Sequence, residues 1–453
     1  MKVITYGTFD LFHEGHYNIL KRAKEQGDYL IVGVTSENFD KSRGKLNVQQ
    51  SLIERIENIK KSGFADKIIV EEYMGQKIED IKKYNVDKFV IGSDWVGKFD
   101  YLNEYCQVVY LERTKGVSST QLRNEDMGIL NIGCVGSGRI AKRMIVESKF
   151  VSGINFNMAY GRNEETVKKF AKDNELHNYT TDYDEFLENV DAVYVAVPHH
   201  IHYEFVKRAL LAKKHVLCEK PITLKENETK ELYQLAKDND VVLYEAIKTA
   251  YVPGFKRLIM LTKSGVIGKI TDVDATFTKL VHDKTLREYD LNQGGGSFNE
   301  LISYPLIAIF KLLGTDYQDV KFFSRFDKET GVDVYSKLLI QYDDAVATAN
   351  VGLGVKKEGE LIIAGTNGYV YVPAPWWKTE YFEFRFEDQN LNEKYFFKFD
   401  GDGMRHELVE FYNSIVKNTT NINLTEEESI AISKIIEMFS KRESIIEIWI
   451  FWT

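Results

Sequence analysis

Short apolar runs alternate with amphipathic stretches from the start of the chain. Residues 3–6 (Val-Ile-Thr-Tyr) read as a strand, 18–27 as a helix and 29–34 as a second strand, with a polar loop at 35–47. A helix over 51–62, a strand at 67–70, a helix near 78–84 and strands at 88–91 and 107–111 continue the alternation. Such an order predicts a doubly wound parallel sheet, whose ligands lie beyond the carboxyl ends of the strands where the strand order reverses. At 129–133 a fresh strand begins and runs through a glycine-rich turn into a helix, so a second α/β unit is expected. With 453 residues the chain exceeds what one core usually supports, roughly 250–300 residues.

The first strand ends in Gly7-Thr8-Phe9-Asp10, and His13-Glu14-Gly15-His16 opens the following helix. Both imidazoles project from one backbone bend, where a helix N-terminus offers free N–H groups and partial positive charge to an anion. Donors of this kind suit a nucleoside triphosphate.

Together with Gly92-Ser93-Asp94-Trp95-Val96-Gly97-Lys98-Phe99-Asp100 and Arg113-Thr114-Lys115-Gly116-Val117-Ser118-Ser119-Thr120, this turn resembles the glycerol-3-phosphate cytidylyltransferases. The resemblance implies a Rossmann-like nucleotidyltransferase domain over 1–126 that uses CTP with Mg²⁺. It implies that Gly7, Thr8, Phe9, Asp10, His13, His16, Gly92, Asp94, Arg113, Thr114, Ser118, Ser119 and Thr120 hold the nucleotide. Arg43 and Lys45 stand where the family carries a basic pair for the incoming phosphate, with Arg55 and Asp66 as further candidates. Asp10 is expected to orient a histidine or Mg²⁺. Where the family has Arg-Tyr-Val-Asp, this chain has Gly63-Phe64-Ala65-Asp66, which points to an altered acceptor pocket or to impaired transfer.

In the second unit, Gly133-Cys134-Val135-Gly136-Ser137-Gly138-Arg139-Ile140-Ala141 follows a strand and opens a helix, the pattern that brings a dinucleotide pyrophosphate close to the backbone. The next strand ends in Tyr160-Gly161-Arg162, with no acidic residue for a ribose 2′-hydroxyl. Arg162 in that place favours NADP(H) over NAD(H).

Val197-Pro198-His199-His200-Ile201-His202 and Cys218-Glu219-Lys220-Pro221 add a second resemblance, to the Gfo/Idh/MocA oxidoreductases. It implies a Rossmann domain over 129–250, with Gly133, Gly136, Ser137, Gly138, Arg139, Ile140, Arg162, Pro198, His199, His202, Glu219 and Lys220 about the cofactor. A substrate and dimerisation domain follows over 251–440, with a large, mostly antiparallel open sheet built from strands such as 273–278, 334–342, 345–351 and 359–364. Gly294-Gly295-Gly296-Ser297-Phe298-Asn299-Glu300-Leu301-Ile302-Ser303-Tyr304 resembles the family's second landmark. By that resemblance Lys220, Tyr304 and Glu300 are catalytic, Tyr304 being a general acid whose pKa the Lys220 ammonium lowers. Glu300 in place of aspartate, Ile302 in place of glycine and His199 in place of asparagine imply an altered substrate pocket.

A net charge of −9 and a pI of about 5.7 argue against nucleic-acid partners. Cys106, Cys134 and Cys218 are isolated, so neither a disulfide framework nor zinc is expected, and no metal is assigned to His199, His200 and His202. No apolar run approaches the ~20 residues of a membrane span, which points to a cytoplasmic protein. The apolar tail, 441–453, reads equally as an edge strand, an oligomer contact or a reading-frame artefact. These features lead to a bifunctional enzyme making a CDP-activated polyol, acting on small-molecule substrates as a homodimer and supplying a surface polysaccharide or teichoic-acid-like polymer. Two other readings stand: a reductase acting on the CDP-linked product or an unrelated sugar, and a nucleotide-binding scaffold or sensor with one inactive domain.

Overall fold

Buried Val3 and Ile4 start the strand β1 (Lys2–Gly7) in a computed structural model that describes residues 1–112 and 129–448. Arg113, Thr114, Ser118, Ser119, Thr120 and the last five residues of the tail lie outside the described residues. With β2 (Tyr29–Thr35), β3 (Lys67–Glu71), β4 (Lys88–Gly92) and β5 (Gln107–Leu111), β1 forms a sheet in the order β3-β2-β1-β4-β5. All four pairings are parallel, so the order reverses between β1 and β4.

Alternation along the strands separates two cores. Val3, Val32 and Val34 pack with Leu20 of α1 (Glu14–Lys24) and Ile59 of α3 (Leu52–Ser62) on one face. Ile4, Tyr6 and Ile31 meet Ile81 of α4 (Gln76–Tyr84) on the other. Ser51 caps α3 by accepting from the Glu54 N–H while the Glu54 carboxylate accepts from the Ser51 N–H, a reciprocal cap worth about 1 kcal/mol. The stretch read as a polar loop holds one short helix, α2 (Glu37–Ser42), capped by Ser36. Six residues are too few to display a helical period.

A second sheet joins β6 (Leu130–Val135), β7 (Ile154–Tyr160), β8 (Asn178–Thr180), β9 (Ala192–Val195), β10 (His215–Glu219) and β11 (Leu243–Ala246) in the order β11-β10-β9-β6-β7-β8. Its reversal falls between β6 and β9, where α5 (Arg139–Ser148) begins. The third sheet has nine strands, β12 (Ile270–Thr278), β13 (Asp319–Phe326), β14 (Asp333–Gln341), β15 (Val346–Gly352), β16 (Leu361–Gly365), β17 (Tyr369–Val372), β18 (Tyr381–Arg385), β19 (Glu393–Phe396) and β20 (Ile445–Glu447). It is antiparallel except for β12 with β15 and β13 with β20. The described part of the apolar tail is thus an edge strand, β20 beside β13. Helix α6 (Glu226–Asp238) packs on α9 (Glu426–Ser440) through Thr229–Ser433 and Tyr233–Ser429 hydroxyl pairs at 2.7 and 3.0 Å. The chain divides into two compact units, Met1–Asn131 with Ile145–Asn157 and Glu175–Asn178, and Ile132–Met144 with Met158–Asn174 and Tyr179–Thr453. No helix among the described residues is long and apolar enough to cross a membrane.

Two short helices, α7 (Ser297–Leu301) and α8 (Ser303–Leu313), follow the glycine run. Asp333 anchors α7, accepting from the Ser297 hydroxyl, the Phe298 N–H at 2.9 Å and the Ser336 hydroxyl at 2.8 Å. A Cβ on Gly296 would stand 2.3 Å from the Asp333 carboxylate, at a φ of +110°. Burial pushes the Asp333 carboxyl up from 3.8 to about 6. Between these values the folded chain holds a proton that the unfolded chain releases. The stability this supplies is full below about pH 4 and is lost as the pH rises through about 6. Comparing urea unfolding of the wild type and Asp333→Asn from pH 4 to 7 is expected to show the variant lacking about 3 kcal/mol of this decline.

Candidate active sites

In the first unit the turn after β1 is strained: Phe9 and Leu11 have φ of +53° and +46°, a region L-residues seldom adopt. Phe9 is buried, and its ring meets the edge of His16 with centroids 5.4 Å apart. His13 caps α1, its Nδ1 accepting from the Gly15 N–H at 3.0 Å, while the His16 Nδ1 accepts from the His13 N–H at 3.5 Å. The rings stack 3.8 Å apart. Because each Nδ1 is an acceptor, the proton of each neutral ring sits on Nε2, making the pair two N–H donors. Burial, with His13 and Lys45 nearby, holds His16 well below its usual pKa and therefore uncharged.

Behind the turn lies a buried carboxylate that sequence reasoning missed. Asp40 accepts from Thr8 Oγ1 at 2.9 Å, Thr35 Oγ1 at 2.7 Å and Arg43 Nη2 at 2.9 Å, and stands 3.5 Å from Arg55 Nη1. Arg55 is fully buried and gives Nη1 to the Thr8 and Thr35 carbonyls and Nε to that of Gln50. Its main task here is to tie β1, β2 and the 50s turn together. Asp10, expected to orient a histidine or Mg²⁺, accepts instead from the N–H groups of Gln49 and Gln50, both at 2.8 Å. Burial lowers the Lys45 pKa to about 8, although Asp10 and Asp40 oppose the shift. Lys77 on α4, also missed, pairs with Glu71 and lies 4.5 Å from the Tyr6 ring centroid. Gly7 and Gly92 end β1 and β4 at the same edge, and Asp94 follows in the turn Ser93–Trp95.

Asp66 is placed elsewhere. Its carboxylate accepts from Lys24 Nζ and from the N–H of Leu30, at the start of β2. Gly63 ends α3 with φ of +74°, on the approach to the start of β3. Both therefore lie at the amino edge of the parallel sheet, opposite the histidine turn. Loss of the family arginine at 63 thus leaves the carboxyl-edge groups untouched.

In the second unit a cleft of about 690 Å³ opens at the end of β6. Gly136, Ser137, Gly138, Arg139, Ile140, Arg162 and Pro198 all line it, joined by Arg143, Lys279 and Arg287, which no spacing rule had singled out. Gly136 has φ of +105°, and a Cβ there would come within 2.4 Å of the Ala196 carbonyl, whereas Gly138 faces open space. The turn can therefore admit a dinucleotide backbone closely, with five cations around it against Glu288. Gly133, by contrast, is a packing position: its Cβ would meet the Phe186 ring at 2.3 Å. His202 is also drawn away from a ligand role, its two ring nitrogens lying 2.9 and 2.8 Å from the Pro221 and Val197 carbonyls.

Beside the cleft, Lys220 Nζ donates to the Glu300 carbonyl at 2.7 Å and lies 6.0 Å from the Tyr304 ring centroid. The Glu300 carboxylate pairs with Arg287 at 2.7 Å and stands 3.7 Å from His199 Nδ1, which is 3.3 Å from the Gly294 carbonyl. Burial and the Lys220 charge hold His199 well below its usual pKa. Glu219 accepts from the Tyr194 hydroxyl at 2.7 Å, and burial raises its pKa. Tyr304 runs against expectation: burial, with the carboxylates of Glu219, Glu407 and Glu300, raises its pKa well above that of a free phenol. The ammonium faces its ring instead of bonding its oxygen, so it does not offset them.

Residues 4–125 match the family described as cytidylyltransferase-like, 130–247 the NAD-binding Rossmann fold of the GFO/IDH/MocA oxidoreductase family, and 255–371 the GFO/IDH/MocA C-terminal domain. Glycerol-3-phosphate cytidylyltransferase of Bacillus spizizenii is 49% identical over 129 residues, 27% of this chain and 95% of that protein. The chain joins a cytidylyltransferase to a GFO/IDH/MocA oxidoreductase. Over its later part it is 27% identical across 327 residues to scyllo-inositol 2-dehydrogenase (NADP(+)) IolU of Bacillus subtilis, covering 70% of this chain and 98% of the relative. The fold of KijD10, a 3-ketoreductase from Actinomadura kijaniata in complex with NADP and TDP-benzene, matches with a TM-score of 0.64 at 22% identity, covering 71% of this chain and 99% of that one.

The oxidoreductase turn makes a sharp prediction. Gly136→Ala is expected to weaken nicotinamide-nucleotide binding at least about tenfold, because the added methyl displaces the turn itself. Gly133→Ala is expected to cost about 1–3 kcal/mol of stability through overpacking while leaving that affinity within about twofold. Fluorescence titration with NADPH and urea unfolding read the two effects separately.

Proposed function

We propose that the protein makes a CDP-activated alditol in two steps. A sugar phosphate is reduced to an alditol phosphate in the oxidoreductase domain, and the cytidylyltransferase domain transfers CMP from CTP to that phosphate, releasing pyrophosphate. The product fits a precursor of a bacterial surface polysaccharide or teichoic-acid-like polymer. The observation that carries this reading is the union, in one chain, of a domain half identical to glycerol-3-phosphate cytidylyltransferase with a domain of an NAD-binding oxidoreductase family, whose chemistry interconverts alcohols and carbonyls. One domain's product is the other's substrate class.

For the reduction, Gly136, Gly138, Arg139 and Arg162 would hold NADPH, which supplies the hydride for the carbonyl carbon. The arginine-rich cleft and the absence of an acid at 161–163, directly after β7, favour NADP(H) over NAD(H). Tyr304 gives its proton to the carbonyl oxygen as the alkoxide forms. Its raised pKa keeps that proton in place until a base stronger than a phenolate appears. Lys220, fixed by the Glu300 carbonyl, supplies positive charge beside that oxygen. Glu300, held by Arg287, keeps Lys220 and the start of α8 in register.

For the transfer, an oxygen of the alditol phosphate forms the new bond to the α-phosphorus, and the bond from that phosphorus to the β-phosphate oxygen breaks. His13 and His16 donate through Nε2 to the triphosphate, which enters with Mg²⁺, and Arg43 and Lys45 balance the charge of the incoming phosphate. A homodimer in the cytoplasm is the expected setting.

A second reading has a specific support: a fold neighbour of the oxidoreductase domain binds a TDP-linked compound. In that order, transfer would precede reduction. Incubating the protein with ketose or aldose phosphates, NADPH, CTP and Mg²⁺, and omitting each in turn, separates the two. NADPH oxidation without CTP is expected, and a requirement for CTP would favour the second reading. Tyr304→Phe is expected to lower the reduction rate by about 10²–10⁴ and leave cytidylyl transfer to added alditol phosphate unchanged, with His16→Ala doing the converse. No CDP-alditol from any sugar phosphate would reject the coupling.

A further inference from the structure

Among the described residues of the cytidylyltransferase domain, six buried side-chain atoms have no hydrogen-bond partner: Thr5 Oγ1, Glu14 Oε2, Asn47 Nδ2, Arg43 Nε, Arg55 Nη2 and Glu71 Oε2, of which the last three bear on the acceptor. Arg43, Arg55 and Glu71 share one edge of the sheet. Arg43 and Arg55 meet on Asp40 at 2.9 and 3.5 Å, and Arg55 reaches the carbonyl of Thr35, the residue paired across the ladder with Glu71. Glu71 is the last residue of β3 and 1% exposed. Its other oxygen pairs with Lys77, whose ammonium lies 4.5 Å from the Tyr6 ring and 5.6 Å from the Phe99 ring. Tyr6 precedes the histidine turn and Phe99 follows β4, so the pair sits at the carboxyl edge, across the strands that flank the switch point.

Leaving a buried polar atom unmade costs about 1–3 kcal/mol, more for a charged group. The ion pair with Lys77 accounts for one oxygen of Glu71 and leaves the other needing a donor. Arg43 Nε and Arg55 Nη2 as donors and Glu71 Oε2 as acceptor match a ligand with an anionic end and a group that gives a hydrogen bond. Lys77 already neutralises the carboxylate, so a hydroxyl suits the second oxygen and another ammonium does not.

We propose that Glu71 Oε2 accepts a hydrogen bond from a hydroxyl on the carbon chain of the acceptor, with the acceptor phosphate toward Arg43 and Arg55, so that Glu71 selects hydroxylated phosphomonoesters over deoxy ones. This rests on the reading of the acceptor as an alditol phosphate, and it names the residue that recognises the alditol. Glu71 is a specificity determinant, separate from the histidines that act on the triphosphate.

The test is cytidylyl transfer by the full-length protein to three- to five-carbon alditol phosphates and their monodeoxy analogues, for the wild type, Glu71→Gln and Glu71→Asp. The readout is the ratio of kcat/KM for each acceptor to that for its analogue, which does not depend on how much of a variant is folded. For one position of the chain the wild type is expected to prefer the hydroxylated acceptor by about 10²-fold or more. Glu71→Gln is expected to cut that preference at least about tenfold, with KM for CTP unchanged, because an amide shared with Lys77 accepts weakly. Equal losses on both acceptors, with the preference intact, would overturn the assignment and leave Glu71 as a partner of Lys77 alone. Turnover of none of the acceptors by the wild type would remove the alditol reading itself, and the assignment with it.

Discussion

A parallel strand that runs into a tight turn and then a helix leaves unpaired N–H groups and the positive end of a helix dipole at the carboxyl edge of its sheet. Both sites depend on that constraint. In the transferase domain the turn after β1 is made by Phe9 and Leu11 in left-handed conformations, and the helix is capped by a histidine whose partner three residues on returns the bond. In the oxidoreductase domain Gly136 takes the same part, in a place where no side chain fits. Each sheet reverses its strand order at this strand, between β1 and β4 in one and β6 and β9 in the other. The reversal lets a ligand reach the backbone from the side.

What differs between the sites is how charge is kept off the ligand until it is needed. The transferase surrounds its edge with cations balanced by buried acids: Asp40 gathers Thr8, Thr35, Arg43 and Arg55, and Glu71 pairs with Lys77. Under the proposed function, neutral His16 would donate to the triphosphate without adding charge. The oxidoreductase uses acids to hold a proton on Tyr304 and a backbone carbonyl to hold Lys220. A phosphoryl site needs donors in place before reaction, whereas a carbonyl reduction needs a proton that moves only when the alkoxide forms.

Much of this was legible in the sequence because it resides in local patterns. Period-two apolar runs, the His13–His16 turn and the Gly136–Gly138 turn located both α/β units and both edges, and Lys220 and Tyr304 do meet. What escaped depends on long-range register. Asp40 sits in a six-residue helix inside a polar stretch, and its meaning appears only when Thr8, Thr35 and Arg55 converge on it. Lys77 and Glu71 look like surface charges until α4 folds onto Tyr6. Asp66 and Gly63 lie near the site by motif order but at the opposite edge, because α3 runs antiparallel to the strands. Tyr304 failed for a related reason: a neighbouring ammonium suggested a lowered pKa, and only the fold reveals three carboxylates and a ring-facing lysine.

The central claim is that the hydroxyl made by one domain belongs to the molecule activated by the other. Stereospecifically deuterated NADPH tests it directly, in a single reaction with the protein, CTP, Mg²⁺ and an unlabelled sugar phosphate, followed by mass spectrometry of the nucleotide fraction. The account predicts a CDP-linked polyol one mass unit heavier than its counterpart from unlabelled NADPH, with the deuterium on the carbon of the newly made alcohol. Deuterium confined to a product that never acquires CMP, alongside unlabelled CDP-linked material, would contradict it.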